Sequence, residues 1–197
     1  ACRAARTVVP GGRYEDIDLV LCTHLHFDHA GGSTTITDGA VVPTFPRARY
    51  YVQREHWRAA QTPTERDRAS FFPEDFVPLH ERGLLHFTEG EGEIFPGISL
   101  RLVHGHTAAL QCPVVTDGAT TLLYCADLVP TSSHVPLAWI MAYDLRPLVT
   151  LEEKRRLLGE AVDAGWILFF EHDPLLAASR LTRTDKGIVL GAPVIIG

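Results

Sequence analysis

One six-residue stretch, His24-Leu25-His26-Phe27-Asp28-His29, follows the apolar run Leu19-Val20-Leu21-Cys22 and precedes the flexible Ala30-Gly31-Gly32. It constrains this chain more than any other feature. Three imidazoles and a carboxylate in six residues are the nitrogen and oxygen ligands that a borderline divalent cation such as zinc prefers, and more than a structural role for histidine requires. In an extended segment leaving a strand, His24 and His26 point the same way, whereas Asp28 and His29 lie beyond a bend and can face a second ion. The fold must therefore hold this strand end where two metal ions fit.

Three more segments have the same form. The strand-like Ile98–Val103 leads into Gly105-His106-Thr107. Residues 121–126 read as a buried strand entered from the hairpin turn Asp117-Gly118 and followed by Asp127. The apolar residues 166–170 run into Glu171-His172-Asp173. Rigid strands would hold such residues while the loops supply the bends. From about Asp16 to His172 these motifs resemble the metallo-β-lactamase superfamily. The resemblance implies that His24, His26 and His106 hold one metal, that Asp28, His29 and His172 hold the other, and that Asp127 is shared. It implies an α+β fold, the four-layer αβ/βα sandwich. Only about twenty residues precede the first motif and no Asp-Thr-Gly turn occurs, so part of the N-terminal sheet is expected to be missing. Residues 1–12, with Pro10-Gly11-Gly12, read as a linker, and residues 13–197 as a hydrolase domain truncated at its N-terminus.

At 197 residues, 46% hydrophobic and 21% charged, the chain reads as one domain able to bury a large core. Twenty-four acidic against 18 basic side chains give a formal charge of −6. With no Lys/Arg block, this argues against nucleic acid and the superfamily's nuclease branches. Cys2, Cys22, Cys112 and Cys125 have no C-x-x-C spacing and read as reduced residues of a cytoplasmic protein. No membrane-spanning run is seen.

Between the first motif and His106 the sequence suggests a cap: a strand at residues 49–52, a helix at 54–60 and a helix start at Thr62-Pro63-Thr64-Glu65. Trp57, Phe71, Phe72 and Phe76 read as either core or pocket lining. The clearest helix spans residues 151–164, with Thr150 as N-cap, Glu153 completing a capping box and Gly165 ending it. Its apolar stripe, Leu157, Leu158, Ala161 and Val162, makes it scaffold.

Of ten histidines, His56, His80 and His86 lack partner motifs and take surface or hydrogen-bonded roles. His104 reads as packed or supporting His106. His134 follows Asp127 in a loop that also carries Trp139; contact with substrate or proton transfer is weighed against a loop-stabilising hydrogen bond.

Two cations point to hydrolysis by a metal-bridging hydroxide, and the superfamily resemblance implies that Asp28 or Asp127 passes a proton to the leaving group. Zinc is the first choice of metal, and Mn, Fe and Co suit the same donors. No Gly-x-Ser-x-Gly elbow supports a serine triad. The block from Asp127 to Pro147, with Tyr143, looks like the branch of N-acyl-homoserine lactonases and methyl parathion hydrolase-like enzymes. Lactone opening is the lead reading. Aryl phosphotriester or thioester hydrolysis is the alternative, a single-iron dioxygenase is a lesser one, and a non-catalytic metal-binding or interaction protein is the reading of another class. A small molecule is the expected partner, and a homodimer the assembly considered.

Overall fold

The computed structural model of the chain describes residues 12–196. The linker expected at residues 1–12 falls, Gly12 apart, outside them. The chain divides at Glu89 and Gly90 into two compact units.

The first unit has, in chain order, β1 (Leu19–Leu21), α1 (Phe27–Ala30), β2 (Thr34–Thr37), β3 (Ala40–Pro43), β4 (Arg49–Gln53), α2 (Arg54–Gln61), α3 (Val77–Glu81) and β5 (Leu85–Thr88). Strands β1, β4 and β5 form a parallel sheet with β4 central, pairing Leu21 with Tyr51 and Tyr51 with His86. A central parallel strand is covered on both faces, which suits the run Tyr-Tyr-Val. Tyr50 and Val52 are fully buried. The Tyr50 hydroxyl is satisfied by accepting the Phe45 N–H (3.0 Å) and facing the Ser33 carbonyl (3.2 Å). Strands β2 and β3 make a hairpin across Asp38-Gly39, both residues at positive φ.

The strand and helix expected at residues 49–52 and 54–60 are β4 and α2. No helix starts at Thr62. Asp67 Oδ1 accepts the Thr64 N–H (2.7 Å) and hydroxyl (2.6 Å), closing a turn, and a short 3-10 turn at Arg68–Ser70 follows. A local carboxylate outcompetes the helix there. Trp57, Phe71 and Phe76 are core residues, whereas Phe72 is 42% exposed and stacks on Phe27.

The second unit carries β6 (Gly92–Phe95), β7 (Ile98–Val103), β8 (Leu110–Thr116), β9 (Thr121–Tyr124), α4 (Pro147–Asp163), β10 (Ile167–Phe169), β11 (Ala178–Thr184) and β12 (Gly187–Pro193). One seven-stranded sheet runs β12-β11-β10-β9-β8-β7-β6. All its neighbours are antiparallel except β9 and β10, which α4 connects. The hairpin turn expected at Asp117-Gly118 joins β8 to β9, with Asp117 Oδ1 accepting the Ala119 and Thr120 amides. Leu157, Leu158 and Ala161 of α4 are fully buried with Leu110, Leu123 and Leu168 of the sheet. Each such leucine contributes roughly 1.5–3 kcal/mol by leaving water.

Helix α4 differs from expectation at its start. Pro147, whose ring pre-sets a helical φ, is the first residue and Arg146 the N-cap. Thr150 therefore lies inside the helix, and Glu153 does not close a capping box. The end is as expected: Ala164 caps the helix and Gly165 turns the chain away at φ +69°.

Cys22, Cys112 and Cys125 are free thiols buried in these cores. Among the described residues no helix is long and apolar enough to cross a membrane.

Candidate metal centre

In the first unit the strand β1 ends at Leu21, His26 is still extended, and at Phe27 the backbone coils into the single turn of α1. The His29 and Ala30 amides bond back to the His26 carbonyl (3.0 and 2.8 Å), which puts Asp28 and His29 on that turn. The bend anticipated between the two halves of the motif is this change from strand to helix. It gathers the imidazoles: the His24 ring centroid lies 4.5 Å from that of His26 and 4.0 Å from that of His29. His24 and His26 are buried. The Thr23 hydroxyl meets His24 Nδ1 at 3.1 Å, so Nε2 is the nitrogen that His24 can present to a cation. Asp28 Oδ2 is 3.5 Å from His29 Nε2, and its side chain is 42% exposed.

His56 adds something the sequence reading assigned only in general terms. It is fully buried, and its Nε2 accepts the Leu25 N–H at 2.8 Å. That amide sits between His24 and His26, so α2 fixes the backbone from which both rings project. The ring also faces His24 at 6.1 Å and Phe71 at 5.9 Å.

In the second unit Asp127 is the centre. It lies in a tight 3-10 turn after β9, entered through Ala126 at φ +47°. His106 Nε2 stands 3.1 Å from Asp127 Oδ2 and His172 Nε2 3.3 Å from Oδ1. Each oxygen of one buried carboxylate thus meets one imidazole. Glu171, whose role was not foreseen although it adjoins His172, has an oxygen 3.9 Å from His172 Nε2. One ligand atom each of Asp127, Glu171 and His172 lies within 4.8 Å of the others.

Behind these residues stands a supporting layer. His106 Nδ1 is held by Asp144 Oδ1 at 2.9 Å, and Asp144 Oδ2 accepts the Thr150 hydroxyl at 2.7 Å. Glu153, freed from any cap, accepts the amides of His104 (2.7 Å) and Gly105 (3.0 Å). The Leu145 and Arg146 amides bond to the carbonyls of His106 and Gly105. A helix read as scaffold is therefore the element that aims His106. His104 takes a packing role, its Nδ1 accepting the Ala109 N–H at 3.2 Å. His134 Nδ1 bonds the Thr131 hydroxyl at 2.8 Å. The His134 loop is tied to the His172 loop by the His172 amide on the Pro130 carbonyl (3.1 Å) and by Ser132 on Asp173.

The electrostatics of the second unit favour a cation. Burial alone would lower the His106 pKa, but its bonds to Asp127 and Asp144 outweigh burial and lift it to about 9. Two carboxylates around one imidazole ask for positive charge. A divalent ion supplies it, and the carboxylate–histidine pairing that orients a ligand is already in place at Asp144. The donor set of each unit, imidazole nitrogen and carboxylate oxygen, fits zinc or a similar ion.

The sequence model of the metallo-beta-lactamase superfamily matches residues 11–172. The N-acyl homoserine lactonase AiiA of Bacillus thuringiensis subsp. kurstaki is 29% identical over 167 residues, 81% of this chain and 58% of that protein. The chain spans a little under three fifths of the curated relatives it matches. Among solved structures, an N-acyl homoserine lactone hydrolase with N-hexanoyl-L-homoserine bound at its catalytic metal centre superposes with a TM-score of 0.65 at 27% identity, over 83% of this chain and 59% of that one. AidC, a dizinc quorum-quenching lactonase in complex with a product, reaches a TM-score of 0.81 over 95% of this chain and 68% of its own. Its 17% identity makes that a likeness of fold.

Proposed function

The chain belongs to the metallo-beta-lactamase superfamily, and from that premise we propose that it is a dinuclear metal-dependent hydrolase that opens lactone rings, N-acyl homoserine lactones foremost. Asp127 carries the reading. A buried carboxylate that meets His106 with one oxygen and His172 with the other is the group expected of a ligand shared by two ions. His24, His26 and His106 would complete one ion's set, and Asp28, His29 and His172 the other's. Glu171 stands close enough to His172 to supplement the second.

Bound there, two divalent cations would acidify a water and polarise the ester carbonyl. The chain's own residues do the rest. Asp144 and Thr150 hold the His106 ring in one orientation and tautomer. Asp28, half-exposed beside His29, is the carboxylate that carries a proton to the leaving alkoxide. His134 is anchored through Nδ1, which directs Nε2 toward substrate. Burial, with the nearby Lys154 charge, lowers its pKa and keeps it neutral near pH 7, able to donate or accept a hydrogen bond.

A lactone substrate is favoured by the curated relatives, which are named as N-acyl homoserine lactonases. The test is acid release, followed with a pH indicator, from N-acyl homoserine lactones, simple lactones and aryl phosphotriesters before and after chelation. Lactones are expected to turn over only with metal present. Turnover that survives chelation would overturn the hydrolase mechanism, and turnover of phosphotriesters alone would overturn the substrate class.

A further inference from the structure

Helix α4 turns a third polar side chain inward besides Thr150 and Glu153. Lys154 is 0% exposed. Its Nζ donates to the carbonyl oxygens of Pro136 (2.8 Å), Leu137 (3.4 Å) and Trp139 (2.8 Å). An ammonium has three donors, and all three serve one four-residue segment. A leucine would fill this part of the core without the desolvation that a buried charge entails. The lysine is thus explained by what it does to the segment it grips.

That segment closes on itself through the Trp139 amide and the Pro136 carbonyl (3.0 Å). It presents Trp139, 62% exposed, and starts two residues after His134. Thr131 holds His134 from the other side. Lys154 faces two titratable groups, Asp144 and His134. Both belong to the support or the substrate contacts already described.

We propose that Lys154 is a positioning residue for substrate recognition, its ammonium latching the 136–139 turn so that Trp139 and His134 meet the acyl part of the substrate. The latch is a property of the second unit's geometry, while its use in recognition rests on the lactonase reading.

The experiment compares the full chain with Lys154→Met and Lys154→Arg, in both metal-loaded and chelated forms. Chymotryptic cleavage after Trp139 in the chelated protein should be about tenfold faster for Lys154→Met, because the turn opens more often. On N-acyl homoserine lactones of increasing chain length the same variant should raise KM about tenfold with kcat and metal content near wild type, a loss of binding shared by ground and transition states. Lys154→Arg, which keeps the charge, should recover part of both. Wild-type cleavage and KM in Lys154→Met would overturn the proposal, as would parallel losses of kcat and metal with KM unchanged. If Lys154→Met does not fold, Trp139→Ala decides: a raised KM supports the latch, and an unchanged KM overturns it. A wild-type protein that opens no lactone would refute the function above, while the cleavage rates would still decide whether Lys154 is a latch.

Discussion

Gly105 and Thr150 approach so closely that a Cβ on Gly105 would lie 2.1 Å from Thr150 Oγ1 and 2.4 Å from the Thr150 backbone nitrogen. Gly105 has no positive φ, so its need for glycine comes from packing. Helix α4 can press against the loop that carries His106 only because no side chain intervenes. Gly105→Ala must push the loop off the helix. We expect a loss of about 1–3 kcal/mol in urea unfolding, the usual range for overpacking, together with reduced metal content. Wild-type stability and metal content would contradict this account of the contact.

Asp144 makes a more specific prediction. Its carboxylate holds His106 Nδ1 and takes the Thr150 hydroxyl. Asp144→Asn keeps the shape and removes the charge that favours a metal-binding imidazole. Metal affinity, measured by competition with a chromophoric chelator, should fall about 10–100-fold. Thr150→Val should have a smaller effect in the same direction.

His56→Leu removes the acceptor for the Leu25 amide. A buried N–H without its partner costs about 1–3 kcal/mol. Because that amide lies between His24 and His26, the variant should also lose metal, with ion content and thermal unfolding read on the same sample. Loss of stability with full metal content would mean that His56 serves packing alone.

These residues mark the limit of what was legible in the sequence. The histidine and aspartate segments stand out in the sequence because each is short, chemically unusual and set at the end of an apolar strand. The helix α4 was found, and so was its end at Gly165, because both signals are local. Its start was misplaced: Thr150 and Glu153 satisfy a capping pattern, but their partners are Asp144 and the amides of His104 and Gly105. For Glu153 those partners lie 48 and 49 residues away, a distance no local pattern encodes. His56 sits in a helix that reads as polar, and only the fold brings it under Leu25. At Thr62 a carboxylate five residues downstream decided between helix and turn.

A pH-dependent test concerns Asp75 in the first unit. Its Oδ2 is buried with no hydrogen-bond partner among the described residues. Burial, and then the neighbouring Glu74 charge, raise its pKa to about 6. The folded state therefore binds this proton more tightly than the unfolded chain, so stability from Asp75 is present at pH 4 and is lost as pH rises through about 6. Asp75→Asn should gain on the order of 1 kcal/mol over wild type at pH 8, after allowance for solvent screening. At pH 4 the two should unfold nearly alike. An equal difference at both pH values would show that the charge is not the cause.

The central claim is that His24, His26, Asp28, His29, His106, Asp127 and His172 hold two ions with Asp127 between them. Native mass spectrometry of the chelated protein titrated with zinc tests this most directly. Wild type should take up two ions per chain, and Asp127→Ala, which removes the shared carboxylate, should fail to retain both. A wild type that binds one ion or none, or an Asp127→Ala variant that holds two as tightly as wild type, would contradict it.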